Sequence, residues 1–255
     1  MAFPNYVGLE YAEQHDVSST NIGNLELGML GMTRDGNIYR WCQASGTEIA
    51  AGLFVVGESV PVHEATVTVA HAVGTETVTV TASGVSANDY AGGYITVTEG
   101  TGAGEIHRIK SNTATSGGTI AITFHAGDGL KIAWSASDTD VDIFTSLHGS
   151  VVIAPVDGQQ LVVGLTQGII PASNYFWALV QGVGTFMADI DGAAAGVELD
   201  EKAIKQSLNH AGQGFIDAAP DATKILAGYR QTLGYLLQEE DAEDNKMELG
   251  YITIM

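Results

Sequence analysis

Three aspartates at alternate positions are the densest group of potential ligands in this sequence. Asp138, Asp140 and Asp142 lie in the segment SDTDVDIF. Alternate residues of an extended strand point to one face, and Ca²⁺ prefers oxygen ligands of this kind. The segment is not an EF-hand loop, because Ile143 stands at the sixth position, which needs glycine, and Gly149 at the twelfth, which needs glutamate. We therefore expect a solvated strand edge, and calcium binding is the less favoured alternative.

An aromatic cluster is the second group that could bind a ligand. Tyr175, Phe176 and Trp177 are consecutive, and exposed aromatic rings form stacking platforms for sugars or anchors in protein interfaces. In a strand, Tyr175 and Trp177 share a face while Phe176 points to the other. Core packing of at least one face is expected, with a ligand platform or an interface as the alternative for Tyr175 and Trp177.

The common catalytic signatures are absent from the sequence. It contains no G-x-x-x-x-G-K-[ST], H-E-x-x-H, G-x-S-x-G or C-x-x-C. The glycines Gly100, Gly102 and Gly104 precede the predicted strand EIHRIK rather than a helix, so they indicate a turn and not a phosphate-binding loop. The only cysteine, Cys42, follows Trp41 in a predicted strand and is expected to be a small buried residue.

The seven histidines are spread singly along the chain, without the close pairing of typical zinc sites. They are His15, His63, His71, His107, His125, His148 and His210. We expect them to be surface or packing residues. The sequence therefore predicts no catalytic residue, no cofactor and no metal other than the calcium alternative.

The charge balance limits the partners. Ten Lys and Arg against thirty Asp and Glu give a net charge of −20, which repels both a phosphate backbone and anionic lipid. No run of about 18 apolar residues could span a bilayer. The first residues, MAFPNYVGLEYAEQHD, lack the basic and apolar regions of a signal peptide. We expect neither nucleic acid nor a membrane as partner, and no secretion signal.

Alternation of Thr and Val predicts the elements that carry these residues. The segments ATVTVA (65–70) and ETVTVTA (76–82) indicate a β-hairpin with one buried and one solvated face. Further strands are expected at 94–98, 105–110, 119–124, 130–134, 141–144 and 151–154. Gly, Asn and Asp turns separate them, which is typical of a sandwich or barrel and not of βαβ units.

The residues on both sides of this region also have the patterns of β-strands. Strands are expected at 37–41, 53–56, 160–165, 175–181 and 185–190, and a closing hairpin at 232–238 and 247–255 around an acidic tip. Only 197–208 (VELDEKAIKQSL) has apolar residues near helical spacing. The expected fold class is an all-β antiparallel sandwich or barrel-like domain, with an extended N-terminal arm and at most one or two short helices.

The predicted domain organisation has four parts. Residues 1–32 form the N-terminal arm, and 33–60 with 225–255 form a β base built from both chain ends. Residues 61–190 form a sandwich-like middle, and 191–224 a connecting segment with the short helix. A single continuous sandwich is the alternative.

Several segments together resemble structural proteins of tailed-bacteriophage virions. They are DGNIYRWCQASGTEIAAGLFVV (35–56), GAGEIHRIKSNT (102–113), ASNYFWALVQGVG (172–184), and TLGYLLQEED (232–241) followed by GYITIM (250–255). The first resembles the opening of small capsid decoration, or cement, proteins, and the last is similar to their closing hairpin.

The resemblance implies a non-enzymatic protein that binds the major capsid protein on the outer surface of the virion. It implies a homo-oligomer, with a trimer favoured, that is made in the host cytoplasm and has no catalytic residues. Two alternatives stay open. One is a tail, neck or head-fibre module that binds a host receptor or glycan through Tyr175 and Trp177, and the other is an enzyme with an unrecognised site at Asp138, Asp140 and Asp142.

Overall fold

The chain is all-β, as the sequence predicts. The computed structural model describes residues 7–22, 25–58, 63–155, 160–189, 203–206, 211–216, 232–237 and 247–254, with 48% strand and 2% helix. It divides into two compact units. The first is formed by Met1–Glu58 and Leu147–Met255, and the second by Ser59–Ser146.

The strands are numbered in chain order. The first unit contains Val7–Leu9 (β1), Val17–Ser18 (β2), Leu30–Thr33 (β3), Ile38–Gln43 (β4), Phe54–Gly57 (β5), Val151–Ile153 (β12), Val162–Leu165 (β13), Tyr175–Asp189 (β14), Ala203–Gln206 (β15), Gly214–Ile216 (β16), Thr232–Leu236 (β17) and Met247–Thr253 (β18). The second contains His63–Thr66 (β6), Thr77–Thr81 (β7), Tyr94–Glu99 (β8), Ile106–Asn112 (β9), Thr119–Phe124 (β10) and Asp140–Phe144 (β11). A short 3-10 helix spans Glu13–His15.

The second unit is a ring of six antiparallel strands. Its order is β6-β11-β8-β9-β10-β7, and a bridge between Val67 and Val80 joins β7 back to β6. Alternate residues of each strand point inward into one core, which includes Val78, Ile95 and Ile122. The Thr residues of the same strands point outward, because side chains of a strand alternate between its faces.

Residues 130–134 do not form the predicted strand. Leu130 and Trp134 are buried in the core of the second unit, while Lys131, Ile132 and Ala133 between them are exposed. A spacing of four between buried residues does not fit a strand, in which buried residues alternate. The segment is a loop, in which only Trp134 makes a strand-like bridge, to His71.

The first unit is organised around the long strand β14. Its first half pairs with β4, β2 and β13, and its second half with β18 and β16. The pairs β14–β16–β15–β17–β18–β14 close a second ring. The sequence predicted two strands here, but they form one, with an irregular register between Leu179 and Gln181. Gly182, at φ +122°, passes so close to Asn37 that a Cβ would overlap its side-chain oxygen.

Both faces of the β4–β14 sheet are buried. Tyr39, Trp41 and Trp177 belong to one apolar cluster, whereas Cys42 and Phe176 belong to another. Two buried faces explain why these strands read as almost continuous apolar runs. Residues 147–189, as far as they are described, therefore lie in the first unit, whereas the sequence placed 147–190 in the middle domain.

The predicted helix at 197–208 is wrong where the structure describes it. Ala203–Gln206 is strand β15, paired antiparallel with β16 and β17. Ile204 is fully buried in the first cluster. Cross-strand pairing has overridden the weak local preference for a helix. The other residues of that prediction lie outside the described part of the chain.

The chain ends also pair within the first unit. In the predicted arm, β1 runs parallel to β3, and Leu9 is buried in the first cluster, with Leu25 packed against it. The described part of 1–32 thus lies on the sheet of its own chain. The closing hairpin is confirmed by the antiparallel pairing of β17 with β18, while its acidic tip, 239–244, lies outside the described residues.

Candidate interaction surface

The three candidate calcium ligands do not converge. Asp138 is exposed in the turn before β11 and accepts a hydrogen bond of 2.9 Å from the Thr101 hydroxyl. Asp140 and Asp142 are half-buried on the outward face of β11. In the described ranges, no three His, Cys, Asp or Glu side chains are placed to hold a metal ion. The predicted strand edge is also corrected, because β11 lies between β6 and β8.

The glycine run that precedes β9 is a turn, as predicted. Gly100, Gly102 and Gly104 all have positive φ, a backbone conformation that favours glycine. At Gly100 a Cβ would lie 1.6 Å from the carbonyl oxygen of Asp138. This position therefore has no room for any side chain.

Tyr175 and Trp177 share a face of β14, but that face is packed. Trp177 is 4% exposed, and its ring centroid lies 4.9 Å from that of Trp41. Tyr175 is half-buried and stacks on Trp41 at 5.9 Å. Phe176 is buried in the opposite cluster. Trp177 is thus a core side chain and Tyr175 packs against the core, so the two rings do not form an open platform for a ligand.

Cys42 is fully buried, as the sequence predicted. Burial raises the pKa of its thiol to about 12, against a weaker opposing effect of Arg40. The side chain is a thiol rather than a thiolate at neutral pH, so it lacks the nucleophilic form.

A buried charged cluster in the second unit was not singled out from the sequence. His107 is 2% exposed, with Nε2 3.1 Å from Glu105 Oε1 and Nδ1 3.3 Å from Asp128 Oδ2. Glu105 also accepts hydrogen bonds from the backbone N–H of Lys131 and, at 3.0 Å, from the indole N–H of Trp134. The cluster ties the start of β9 to the loop of residues 128–134.

The hydrogen bonds decide the electrostatics of Glu105. Burial alone would raise the pKa of its carboxyl, but the donors from Lys131, Trp134 and His107, and the charge of His107, outweigh burial and lower it. The charged form is therefore the one that the fold stabilises. The ring of His107 stacks on Phe124 at 4.4 Å, which encloses the cluster on one side.

A sequence signal for this cluster exists. In GAGEIHRIK, Glu105 and His107 have the same alternation as the buried Ile109, so they fall on inward positions. Polar residues at inward positions need partners. We interpret the cluster as structural, because its hydrogen bonds join the start of β9 to the loop of residues 128–134.

A group of exposed apolar side chains lies on the hairpin β17–β18 and the neighbouring half of β14. Val183, Tyr251 and Tyr235 stand side by side in register across the three strands. Their exposed fractions are 43%, 38% and 56%. In the next row, Leu249 lies opposite Thr185, and the N–H of Leu237 donates to the carbonyl of Leu249. We call these six residues the apolar face.

The apolar face carries no charged side chain, on a chain whose net charge is −20. The reverse side of the same strands is core, with Phe186 and Ile252 fully buried. Three strands about 4.8 Å apart and five residues long present on the order of 250 Å² of projected surface. The largest apolar patch on an ordinary monomer is about 300–600 Å² and is often functional, so this smaller charge-free patch is a candidate interaction site.

The sequence could not distinguish this face from core. GYITIM and TLGYLL are apolar at nearly every position, so alternation separates Tyr251 from Ile252 but does not tell which of them is exposed.

Comparison with known proteins identifies no relative: no family model, no curated protein and no solved structure matches this chain. No helix in the described ranges is long and apolar enough to cross a membrane.

Proposed function

We propose that this chain is a structural protein of a tailed-phage virion, which binds the outer surface of the assembled capsid and stabilises it without catalysing a reaction. The observation that carries the proposed protein contact is the apolar face, and the assignment to a virion rests on the segments that resemble decoration proteins. This face presents two tyrosines and three aliphatic side chains to solvent on rigid, paired strands. Tyrosine is among the side chains enriched at the centres of protein interfaces.

The charge distribution supports a protein partner. An acidic chain gains nothing from packaged nucleic acid, and its like charges keep free copies apart before assembly. A face without charge can approach an apolar protein surface with little loss of hydrated ions. Binding to the assembled shell, but not to its dissociated subunits, would stabilise the shell by linkage.

The positions of the other candidate residues weigh against the two alternative functions. The glycan platform required Tyr175 and Trp177 to be exposed together, but Trp177 is buried against Trp41. The enzyme alternative relied on Asp138, Asp140 and Asp142 as a carboxylate group, and in the described ranges they are not grouped to hold a metal. The capsid-binding proposal needs neither site.

Reconstitution on capsids tests the proposal. Shells of the source phage are prepared without this protein, and the purified chain is added back as wild type, as Y235S/Y251S, or as the control Y11S, whose tyrosine is 52% exposed but lies off the apolar face. We expect wild type and Y11S to co-sediment with the shells and raise their disruption temperature. The double variant should bind at least about 30-fold more weakly, since each central tyrosine contributes about 1–2 kcal/mol. Equal binding of all three chains, or no binding of wild type, would contradict the proposal.

A further inference from the structure

We propose that the seam between β6 and β7, where the strand ring of the second unit closes, is a pH-sensitive latch that the neutral His71 imidazole holds shut and that its protonation releases. The other five neighbouring strand pairs of this ring each pair at least three residues. At the seam, the described residues make one bridge, between Val67 and Val80. Side chains therefore matter more for closure here than at any other strand pair. The proposal does not depend on the capsid contact.

Two histidine side chains bind the edge of β7 at this seam. The backbone N–H of Thr79 donates to Nε2 of His71 at 3.0 Å, while the Thr79 carbonyl accepts from the backbone N–H of Thr68 at 3.1 Å. Further along β7, the carbonyl of Thr81 lies 3.2 Å from Nε2 of His63. Two imidazoles thus take places that backbone groups of the neighbouring strand occupy in a regular antiparallel ladder.

The two imidazoles respond to acid in opposite ways. A backbone N–H can donate only to a nitrogen without a proton, so Nε2 of His71 is the unprotonated nitrogen of a neutral imidazole. A carbonyl can only accept, so Nε2 of His63 carries a proton and donates to Thr81. A charged imidazole donates at both nitrogens. Protonation therefore removes the acceptor of the Thr79 N–H but leaves the bond from His63 in place.

The backbone of His71 is anchored to the core of the second unit. The N–H of His71 donates to the carbonyl of Trp134 at 3.0 Å, and the N–H of Trp134 donates to the carbonyl of His71 at 2.9 Å. Trp134 itself is 1% exposed. Burial of the His71 side chain lowers its pKa from the usual 6.5, because the charged form loses hydration. The closed seam therefore favours the neutral imidazole.

Charged side chains near His71 do not set this preference. The elements around the imidazole carry Glu64 and His63 on β6, Glu76 before β7, His125 after β10, and Asp128 and Lys131 in the loop of residues 128–134. Glu76 accepts from the backbone N–H of Gly127 at 2.7 Å, and Asp128 contacts Nδ1 of His107. None of these charges is among the causes of the lowered pKa of His71, of which burial is the largest.

Mild acid should therefore open the seam before it affects the rest of the strand ring. Because the pKa of His71 is lowered in the folded state, the closed seam loses stability as the pH falls below 6.5, and the loss is complete below the folded value. This range begins well above 4.5, the usual pKa of Glu105. An open seam leaves the N–H of Thr79 unpaired and presents a strand edge on which another chain can pair. The latch thus restricts exposure of that edge to acidic conditions.

Amide hydrogen exchange of the full chain, measured by NMR at about pH 7.5 and about pH 5.5, tests the latch. Protection factors are compared, because they correct for the intrinsic effect of pH on exchange. In wild type, the protection factor of the Thr79 amide should fall at least about 10-fold in acid, because the amide loses its acceptor. The amide of Ile95, on β8 away from the seam, should change less than about 2-fold.

Variants of His71 separate the acceptor from its titration. In H71Q, the side-chain oxygen can accept in place of Nε2 but cannot be protonated in this range, so the Thr79 amide should stay protected at both pH values. In H71A, the Thr79 amide should be weakly protected at both. H63Q keeps a donor for the Thr81 carbonyl, and H15Q changes an exposed histidine of the first unit. Both controls should respond to pH like wild type.

Four results would overturn the latch. The first is a nitrogen-15 spectrum at about pH 7.5 in which Nε2 of His71 carries the proton. The second is a Thr79 protection factor that is the same at both pH values in wild type. The third is an equal fall at Ile95, which would show that acid loosens the whole second unit. The fourth is a fall in H71Q as large as in wild type, which would assign the response to another group.

Discussion

Replacing Glu105 tests whether the buried charged cluster holds the second unit together. Its carboxylate accepts from the Lys131 backbone and the Trp134 indole and contacts His107, with only 9% of its side chain exposed. A hydrogen bond to a charged group contributes about 1.5–3 kcal/mol, and a buried donor left unpaired costs about 1–3 kcal/mol. In Glu105→Gln, the amide can accept on one side only, so one donor loses its acceptor. We expect a loss of about 2–3 kcal/mol for Glu105→Gln and about 3–5 kcal/mol for Glu105→Ala.

The three tryptophans of the chain provide the assay. Trp134 is the only one within 59–146, since the others are Trp41 and Trp177. Urea unfolding of fluorotryptophan-labelled protein, followed by fluorine NMR, therefore reports the second unit through the Trp134 resonance. Glu64→Gln is the matched control, because Glu64 is exposed on β6 and should change stability by less than about 0.5 kcal/mol. A Glu105→Gln variant as stable as Glu64→Gln would refute the structural role of the cluster.

Three further predictions concern the acid sensitivity of the second unit, two glycine positions in its turns, and the reactivity of the Cys42 thiol. The pKa of Glu105 is lowered in the folded state, so its contribution to stability is present above its usual pKa of 4.5 and is lost as the pH falls through the folded value. When unfolding is followed by the Trp134 resonance at decreasing pH, the free energy of unfolding should fall less steeply with pH in Glu105→Gln than in wild type. Equal slopes in the two proteins would contradict the lowered pKa of Glu105. In urea unfolding, Gly100→Ala should destabilise the second unit by at least about 2 kcal/mol, because the added Cβ would overlap the Asp138 carbonyl. The control Gly104→Ala should cost only about 1 kcal/mol. Gly104 also has a positive φ, but no atom lies within 4 Å of its added Cβ. Cys42, fully buried and with its pKa raised to about 12, should react with a thiol reagent only on unfolding; rapid labelling of the native chain would show that the first unit opens.

Alternation predicted several strands that have one buried and one solvated face. Residues 119–124 became β10 with the predicted bounds, and 76–82 contain β7. The other half of the predicted hairpin is mostly wrong: of residues 65–70 only the first two belong to a strand, β6, which pairs with β11 and is joined to β7 by the bridge between Val67 and Val80. Sequence pattern also failed where local pattern and tertiary pairing disagree. The apolar spacing around Ile204 resembles a helix, but the partners that make it a strand lie in β16 and β17, outside any local window.

The candidate surfaces could be predicted only in part. Period two correctly placed Tyr175 and Trp177 on one side of β14, yet it could not show that Trp41 covers them. The cluster of Glu105 and His107 was not predicted. Both share the alternation of the buried Ile109, but their partners, Asp128 and Trp134, come from a loop more than twenty residues away. The apolar face could not be predicted from the sequence, because exposed and buried positions of these strands are both occupied by apolar residues.

Gold-labelled antibody imaging of intact particles from the source lysate tests the central claim most directly, because it asks where the protein is without assuming an activity. The capsid-binding account predicts regular label over the heads of the particles. Label confined to tails or fibres, or particles without label, would contradict it.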